Sequence, residues 1–166
     1  MSGLANAIVD ALGGIFSREL IVFIISMVPI LELRGGLIVS SILGIEMWKG
    51  IAICVIGNII PVPFILLLIT PIFNWLKQTK TFRPLVEKLE NKAMSKKDQV
   101  EKYQFWGLML FVGIPLPGTG AWTGSLIAAL LDVDFKKAIL AELLGIAIAT
   151  VIMSVFSYGL LGALLQ

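Results

Sequence analysis

A chain of 166 residues that is 58% hydrophobic and 14% charged, with a mean hydropathy of +0.97, lies far outside the composition of a water-soluble domain. Its 13 basic and 11 acidic residues collect in short stretches and leave long apolar runs, which predicts a single polytopic membrane domain. A net charge of +2 with no aromatic-interleaved basic patch gives no support to nucleic-acid binding, and without histidine and with one cysteine, Cys54, the usual zinc sites, thiolate clusters and histidine catalysis are excluded.

In chain order, residues 1–17 come first and carry Leu4, Ala5, Ile8, Val9, Leu12, Ile15 and Phe16 at helical spacing, with Asp10 among them. That pattern predicts an amphipathic helix lying in the interface. The segment lacks the basic start and small-residue cleavage site of a signal peptide.

Residues 18–76 form the first half of the membrane domain. As helices, Leu20–Val28 and Gly36–Leu43 would rise only ~14 Å and ~12 Å, against the about 30 Å of a hydrocarbon core. Between them, Pro29-Ile-Leu-Glu-Leu-Arg-Gly-Gly36 places a helix breaker at one end and the flexible pair Gly35 and Gly36 at the other. Two half-length helices around a polar turn predict a re-entrant hairpin, whose irregular backbone survives at that depth only inside protein or beside water. The apolar stretch 48–76 is long enough to cross. Pro61, Pro63 and Pro71 predict that it is kinked or divided, and Trp48 and Trp75 stand near its ends as an aromatic belt would place them.

Residues 77–102 are a charged linker with eight Lys/Arg and four Asp/Glu; Phe82, Leu85, Val86 and Leu89 give part of it an apolar helical face. The second half, 103–166, repeats the plan: Phe105–Ile114, the turn Pro115-Leu-Pro-Gly-Thr-Gly-Ala-Trp-Thr-Gly124, Ser125–Leu131, then a long apolar segment from Phe135.

At an offset of 88 the first half lands on the second without a gap: Phe23 on Phe111, Pro29 on Pro117, Gly36 on Gly124, Glu46 on Asp134, Lys49 on Lys137 and Gly57 on Gly145. A hairpin that returns to its own face plus one crossing makes an odd number of traverses, so the two halves are expected to have inverted topology. The fold expected is therefore all-α, an inverted repeat in which each half is a re-entrant hairpin followed by a long transmembrane helix. Counting Lys136 and Lys137 with the linker sets ten basic residues on one side against Arg18 and Lys49 on the other. The positive-inside rule then places the linker in the cytoplasm and both termini outside, in a plasma-membrane protein.

Few charges lie at membrane depth: Glu32 and Arg34 in the first turn and Glu142 in the second long helix. Intramembrane charges are functional by default, and the alternative for Glu32 and Arg34 is an ion pair holding the hairpin shut. In an extended turn their spacing of two puts them on one side; on a helix they diverge. Glu142 lies with Ala138, Gly145 and Ala149 on a stripe of small residues, matched in the first half by Gly50, Cys54, Gly57 and Pro61. Small residues allow close helix approach, but such packing does not require a carboxylate. Asn58 is a further polar candidate. The second turn, with Pro115, Pro117, Gly118, Thr119 and Gly120, offers backbone N–H groups and a hydroxyl of the kind that cradle an anion, and Trp122 either stacks on a substrate or packs.

The two turn motifs resemble signature segments of the small multidrug export protein family, across essentially the whole chain. That family is similar in turn to the DedA/VTT membrane proteins, and the resemblance implies facing re-entrant hairpins and a link to the movement of polyprenyl-phosphate or other lipids. It also implies an acidic residue in the first hairpin and an arginine in the second; Glu32 fits the first, while the second turn has Thr119 and Arg34 is the only hairpin arginine.

The function expected is a small secondary transporter, a proton-coupled exporter of drugs or other small molecules with a midplane site between the hairpins. No Walker-type glycine loop is present to use ATP, no nucleophile–base pair points to an enzyme, and no cofactor or metal is expected. The alternatives are a lipid or polyprenyl-phosphate translocase and a non-transporting scaffold or assembly subunit. The partners implied are the lipid bilayer, a small-molecule, proton or lipid substrate, and a second copy in a homodimer.

Overall fold

The computed structural model describes residues 16–95 and 105–160. Among these residues the chain is helical throughout, without a strand: α1 (Arg18–Met27), α2 (Glu32–Ile42), α3 (Met47–Ile59), α4 (Pro61–Lys77), α5 (Arg83–Met94), α6 (Phe105–Gly113), α7 (Ala121–Leu130), α8 (Phe135–Ser154) and a closing π-helical turn, Val155–Leu160. Apart from Phe16 and Ser17, the expected interfacial helix lies outside the described residues, as do residues 96–102 of the linker.

Local chemistry sets the helix ends. Ser17 caps α1 by accepting from the Leu20 N–H at 3.2 Å, and Glu19 in the first turn complements the helix dipole. The helix stops at Val28, which is extended (φ −77°, ψ 134°) because Pro29 follows it. The first turn is shorter than the sequence suggests: Glu32–Gly35 already belong to α2, so the irregular backbone reduces to about Val28–Leu31. At its far end α2 closes with the Ile45 N–H on the Ser40 carbonyl (3.0 Å) and the Gly44 N–H on the Ser41 carbonyl (3.1 Å), with Gly44 left-handed at φ +70°. This is a Schellman ending. Pro61 divides the first long segment at Ile60, since it has no N–H to give the Gly57 carbonyl. Pro63 falls in the first turn of α4, where the N–H has no helical partner anyway, and Pro71 is carried inside the helix.

Met47–Lys77 and Phe135–Leu160 are long and apolar enough to cross a membrane. Their outer faces carry Phe64, Leu67, Leu68, Leu140, Val151 and Val155 in exposed positions, while their buried positions include Gly50, Cys54, Gly57, Ala138, Ala141 and Glu142. Large apolar side chains outside and small or polar ones inside suit a lipid solvent. Trp48 and Trp75, at opposite ends of the first span, are 70% and 66% exposed.

The described residues divide into two compact units: residues up to Ile60 together with those from Ile146 onward, and Pro61–Gly145. In the first unit α1, α2 and α3 pack mutually and the π-helical turn meets α2. Its core gathers Ile21, Val22, Leu33, Leu37, Cys54 and Met153. An exposed ion pair, Lys49 to Glu19 at 2.7 Å, ties the start of α3 to the start of α1, and Arg18 donates to the Leu43 carbonyl at 3.3 Å. In the second unit α7 packs on α4, α5 and α6. There α5 buries Val86 and leaves Leu85 and Leu89 exposed, as is Phe82 just before it, so the apolar face expected for the linker is only partly covered. A 2.6 Å ion pair from Lys77 to Glu90 holds α5 to the end of α4. Each long segment lends its leading part to the hairpin before it, while its trailing part belongs to the unit of the other hairpin.

Candidate functional site

Each unit contains one three-way crossing, and the same positions build both. In the second unit the crossing joins α6, α7 and the leading part of α8. A Cβ placed on Gly124 of α7 would lie 2.7 Å from Val112 Cγ2 and 2.9 Å from Glu142 Oε1. One placed on Gly145 would lie 2.6 Å from Val112 Cβ and 2.7 Å from the Met109 carbonyl oxygen. Only glycine allows α6 and α7 to approach α8 this closely. The carboxyl of Glu142 fills the space thus made. It is fully buried, and Ser125, the α7 neighbour of Gly124 and fully buried as well, donates to its Oε1 at 3.1 Å.

The first unit has the same crossing without the carboxyl. A Cβ on Gly36 of α2 would run into Ser26 Oγ and come within 2.9 Å of Cys54 Sγ; one on Gly57 of α3 would lie 2.9 Å from the Phe23 carbonyl oxygen and 3.0 Å from Ser26 Cβ. Ser26 matches Val112, Gly36 matches Gly124, Gly57 matches Gly145 and Cys54 matches Glu142. Ser26 satisfies its own hydroxyl on the Val22 carbonyl at 2.8 Å.

These contacts correct the gap-free correspondence. The offset of 88 holds for α2 against α7 and for α3 against α8. In the first arms, however, Phe23 matches Met109 and Ser26 matches Val112, an offset of 86. Met27 and Gly113, the last residues of α1 and α6, differ by the same amount. Counted from the ends of the first arms, Pro29 stands level with Pro115, two residues after Met27 and Gly113 respectively. The second turn, 114–120, is three residues longer than the first, 28–31, and two glycines with positive φ lie in it, Gly118 at +79° and Gly120 at +131°.

The other residues singled out from sequence spread over both units. Glu32 opens α2, buried and with a positive φ of +49°, and Arg34 follows in the same helical turn, half-buried. Being two apart on a helix they point about 200° from each other. Ile30, between Pro29 and Glu32, also has a positive φ (+79°) and is 94% exposed, a conformation strained for a β-branched residue. Asn58 is buried at the end of α3, and its Oδ1 has no hydrogen-bond partner among the described residues. Thr119 uses its hydroxyl to close the second turn, donating to the carbonyls of Ile114 (3.0 Å) and Leu116 (2.8 Å). Trp122 stands half-buried in the first turn of α7. Among the described residues no three His, Cys, Asp or Glu side chains gather to hold a metal.

Sequence reasoning passed over the hydroxyls. Ser125 is one, and the first unit holds a second set: Ser40 Oγ lies 2.7 Å from Tyr158 Oη, and Ser41 donates to the Ser157 carbonyl at 2.7 Å, joining α2 to the π-helical turn. A Cβ on Gly50 would collide with both Ser40 and Tyr158. The available signal was serine recurring inside apolar runs, which carry no other reason for a polar atom.

A family model described as putative small multi-drug export protein matches residues 32–152, which takes in the second crossing and, of the first, Gly36, Cys54 and Gly57 but not Phe23 or Ser26. No curated protein and no solved structure matches the chain.

Proposed function

The chain belongs to the putative small multi-drug export protein family, and from that premise we propose that it is a small secondary transporter that exports small molecules in exchange for protons carried on Glu142. One observation supports this most. Two crossings share one packing scheme, and where the first holds Cys54 the second holds a fully buried carboxyl. Close packing is thus achieved without a carboxylate, and burying one without need would be costly. A carboxyl in that setting interacts very differently with its surroundings when protonated and when ionised. Gain or loss of the proton therefore biases how tightly α6, α7 and α8 close on one another. Ser125 positions the carboxyl for that exchange.

The membrane arrangement proposed with it follows from helix length. α1, α2, α6 and α7 have 10, 11, 9 and 10 residues, about half of what a crossing needs. We read α1–α2 and α6–α7 as re-entrant hairpins, each followed by one crossing segment, with the two sequence halves inserted in opposite senses. The charged segment after α4 is then cytoplasmic.

The test is transport in proteoliposomes. An imposed pH gradient drives uptake of a lipophilic cation by the native protein, and Glu142→Gln abolishes that coupling while the protein remains folded. Uptake that ignores the gradient overturns proton coupling. Competition by a phosphorylated lipid, weakened by Arg34→Ala, would favour a lipid translocase instead; a protein that moves neither class would be a scaffold.

A further inference from the structure

The turns that end α2 and α7 are superimposable in their hydrogen bonds. The Val133 N–H reaches the Ala128 carbonyl at 2.9 Å and the Asp132 N–H the Ala129 carbonyl at 3.3 Å, as Ile45 and Gly44 do on Ser40 and Ser41. Both turns need a left-handed residue at the same place. The first uses Gly44 at φ +70°; the second uses Asp132 at φ +50°. Glycine is the residue this position favours, and aspartate is one of the few others that tolerate it. Asp132 is not the cap of α8: Asp134 is, accepting from the Lys137 N–H at 3.1 Å.

Asp132, itself exposed, is one of the residues lining a half-open cavity of about 290 Å³ inside the second unit. Leu66, Leu67 and Thr70 of α4 line it on one side and Val133 and Phe135 on the other. That volume is at the small end of ligand pockets, which run from roughly 300 Å³ upward. Apolar side chains and polar groups share the lining, Thr70 supplies one hydroxyl, and Asp132 is the sole charge in it. No ion pair engages Asp132 among the described residues.

We infer that this cavity is a binding subsite for compact lipophilic monocations, with Asp132 as their counter-charge and Leu66, Leu67 and Phe135 as their apolar seat. It rests on the transport reading, to which it adds the substrate class and the place where substrate is first held. The loop sits beside Lys136 and Lys137, on the side read above as cytoplasmic, which is where an exporter collects its cargo.

Purified native protein and Asp132→Gly are compared for binding of tetraphenylphosphonium and of tetraphenylborate, two ions of one shape and opposite charge. Asp132→Gly restores the residue found in the other turn, so its melting temperature should be unchanged or raised by about 2–4 °C. Its affinity for the phosphonium should fall roughly tenfold, the size of one charge pair in a partly wet site, with no fall for the borate. Leu67→Trp, which fills the cavity and keeps the charge, should weaken both ions. Equal phosphonium affinity in native and Asp132→Gly protein, or equal losses for both ions on Asp132→Gly, overturns the subsite. The transport reading fails separately: charge-selective binding that survives while gradient-driven uptake is absent removes transport and leaves the subsite, and the converse removes the subsite alone.

Discussion

Ser125 donates its hydroxyl to Glu142 Oε1 at 3.1 Å across the α7–α8 crossing, with neither side chain open to solvent. A hydrogen bond to a buried carboxyl contributes about 1.5–3 kcal/mol where the group is charged and less where it is neutral. Ser125→Ala should therefore lower stability by roughly 1–2 kcal/mol. It should also displace the pH dependence of transport without abolishing it, because the carboxyl itself remains. Glu142→Cys, which copies the first unit, should retain the helical fold and lose proton-driven uptake altogether. Circular dichroism and proteoliposome flux across a series of pH values separate the two variants. Identical pH profiles for native and Ser125→Ala protein would remove Ser125 from the coupling machinery.

Gly145 and Gly57 make the closest backbone approaches at the two crossings, facing the Met109 and Phe23 carbonyls. A methyl group added at either must push a helix backbone away, since no flexible side-chain tip is there to yield. Gly145→Ala and Gly57→Ala should each cost about 1–3 kcal/mol, the usual penalty of overpacking. Gly159→Ala is the control: among the described residues a Cβ there meets nothing closer than Val155 Cγ1 at 4.0 Å, and melting should change little. Thermal unfolding in detergent reads all three.

The sequence made the crossings legible but not their contents. Gly36, Gly57, Gly124 and Gly145 were visible as paired small residues, and Glu142 stood out against Cys54 as the charge a packing stripe does not need. The register of the first arms was not visible, because apolar helices match at several offsets; only the contacts of Ser26 and Val112 fix it at 86. Pro29 and Gly35 bracket Glu32 and Arg34 and so point to a turn there. In fact the helix starts at Glu32, with the bend absorbed by positive φ at Ile30 and Glu32, which composition does not signal for an isoleucine. Asp132 was equally hidden: its interest comes from a backbone angle shared with Gly44, not from its neighbours in sequence.

Tyr158 and Ser40 share a hydrogen bond of 2.7 Å beside Gly50, where the π-helical turn meets α2. Tyr158→Phe removes one partner and leaves the buried Ser40 hydroxyl to find another, which should cost about 0.5–1.5 kcal/mol. Gly50→Ala intrudes on both groups and should cost more. The double variant should be less destabilised than the sum of the two, because both disrupt one contact. Strict additivity in a double-mutant cycle would show that the pair does not act as a unit.

Re-entry makes a claim about sidedness that chemical labelling can reach. In a Cys54→Ser background, single cysteines at Ser17 and Glu46 flank the α1–α2 hairpin, and one at Thr79 follows α4. Two half-length helices that return to their starting face put Ser17 and Glu46 on the same side, and the crossing Met47–Lys77 puts Thr79 on the other. A membrane-impermeant maleimide added to intact cells should thus modify Ser17→Cys and Glu46→Cys and spare Thr79→Cys until the membrane is opened. A cysteine at Ile30, the exposed tip of the bend, should react slowly from either side, since thiolate chemistry needs water. Labelling of Ser17→Cys and Glu46→Cys from opposite faces would mean that the α1–α2 segment crosses the bilayer. The opposite insertion of the two halves would then lose its basis, because each half would no longer make an odd number of traverses.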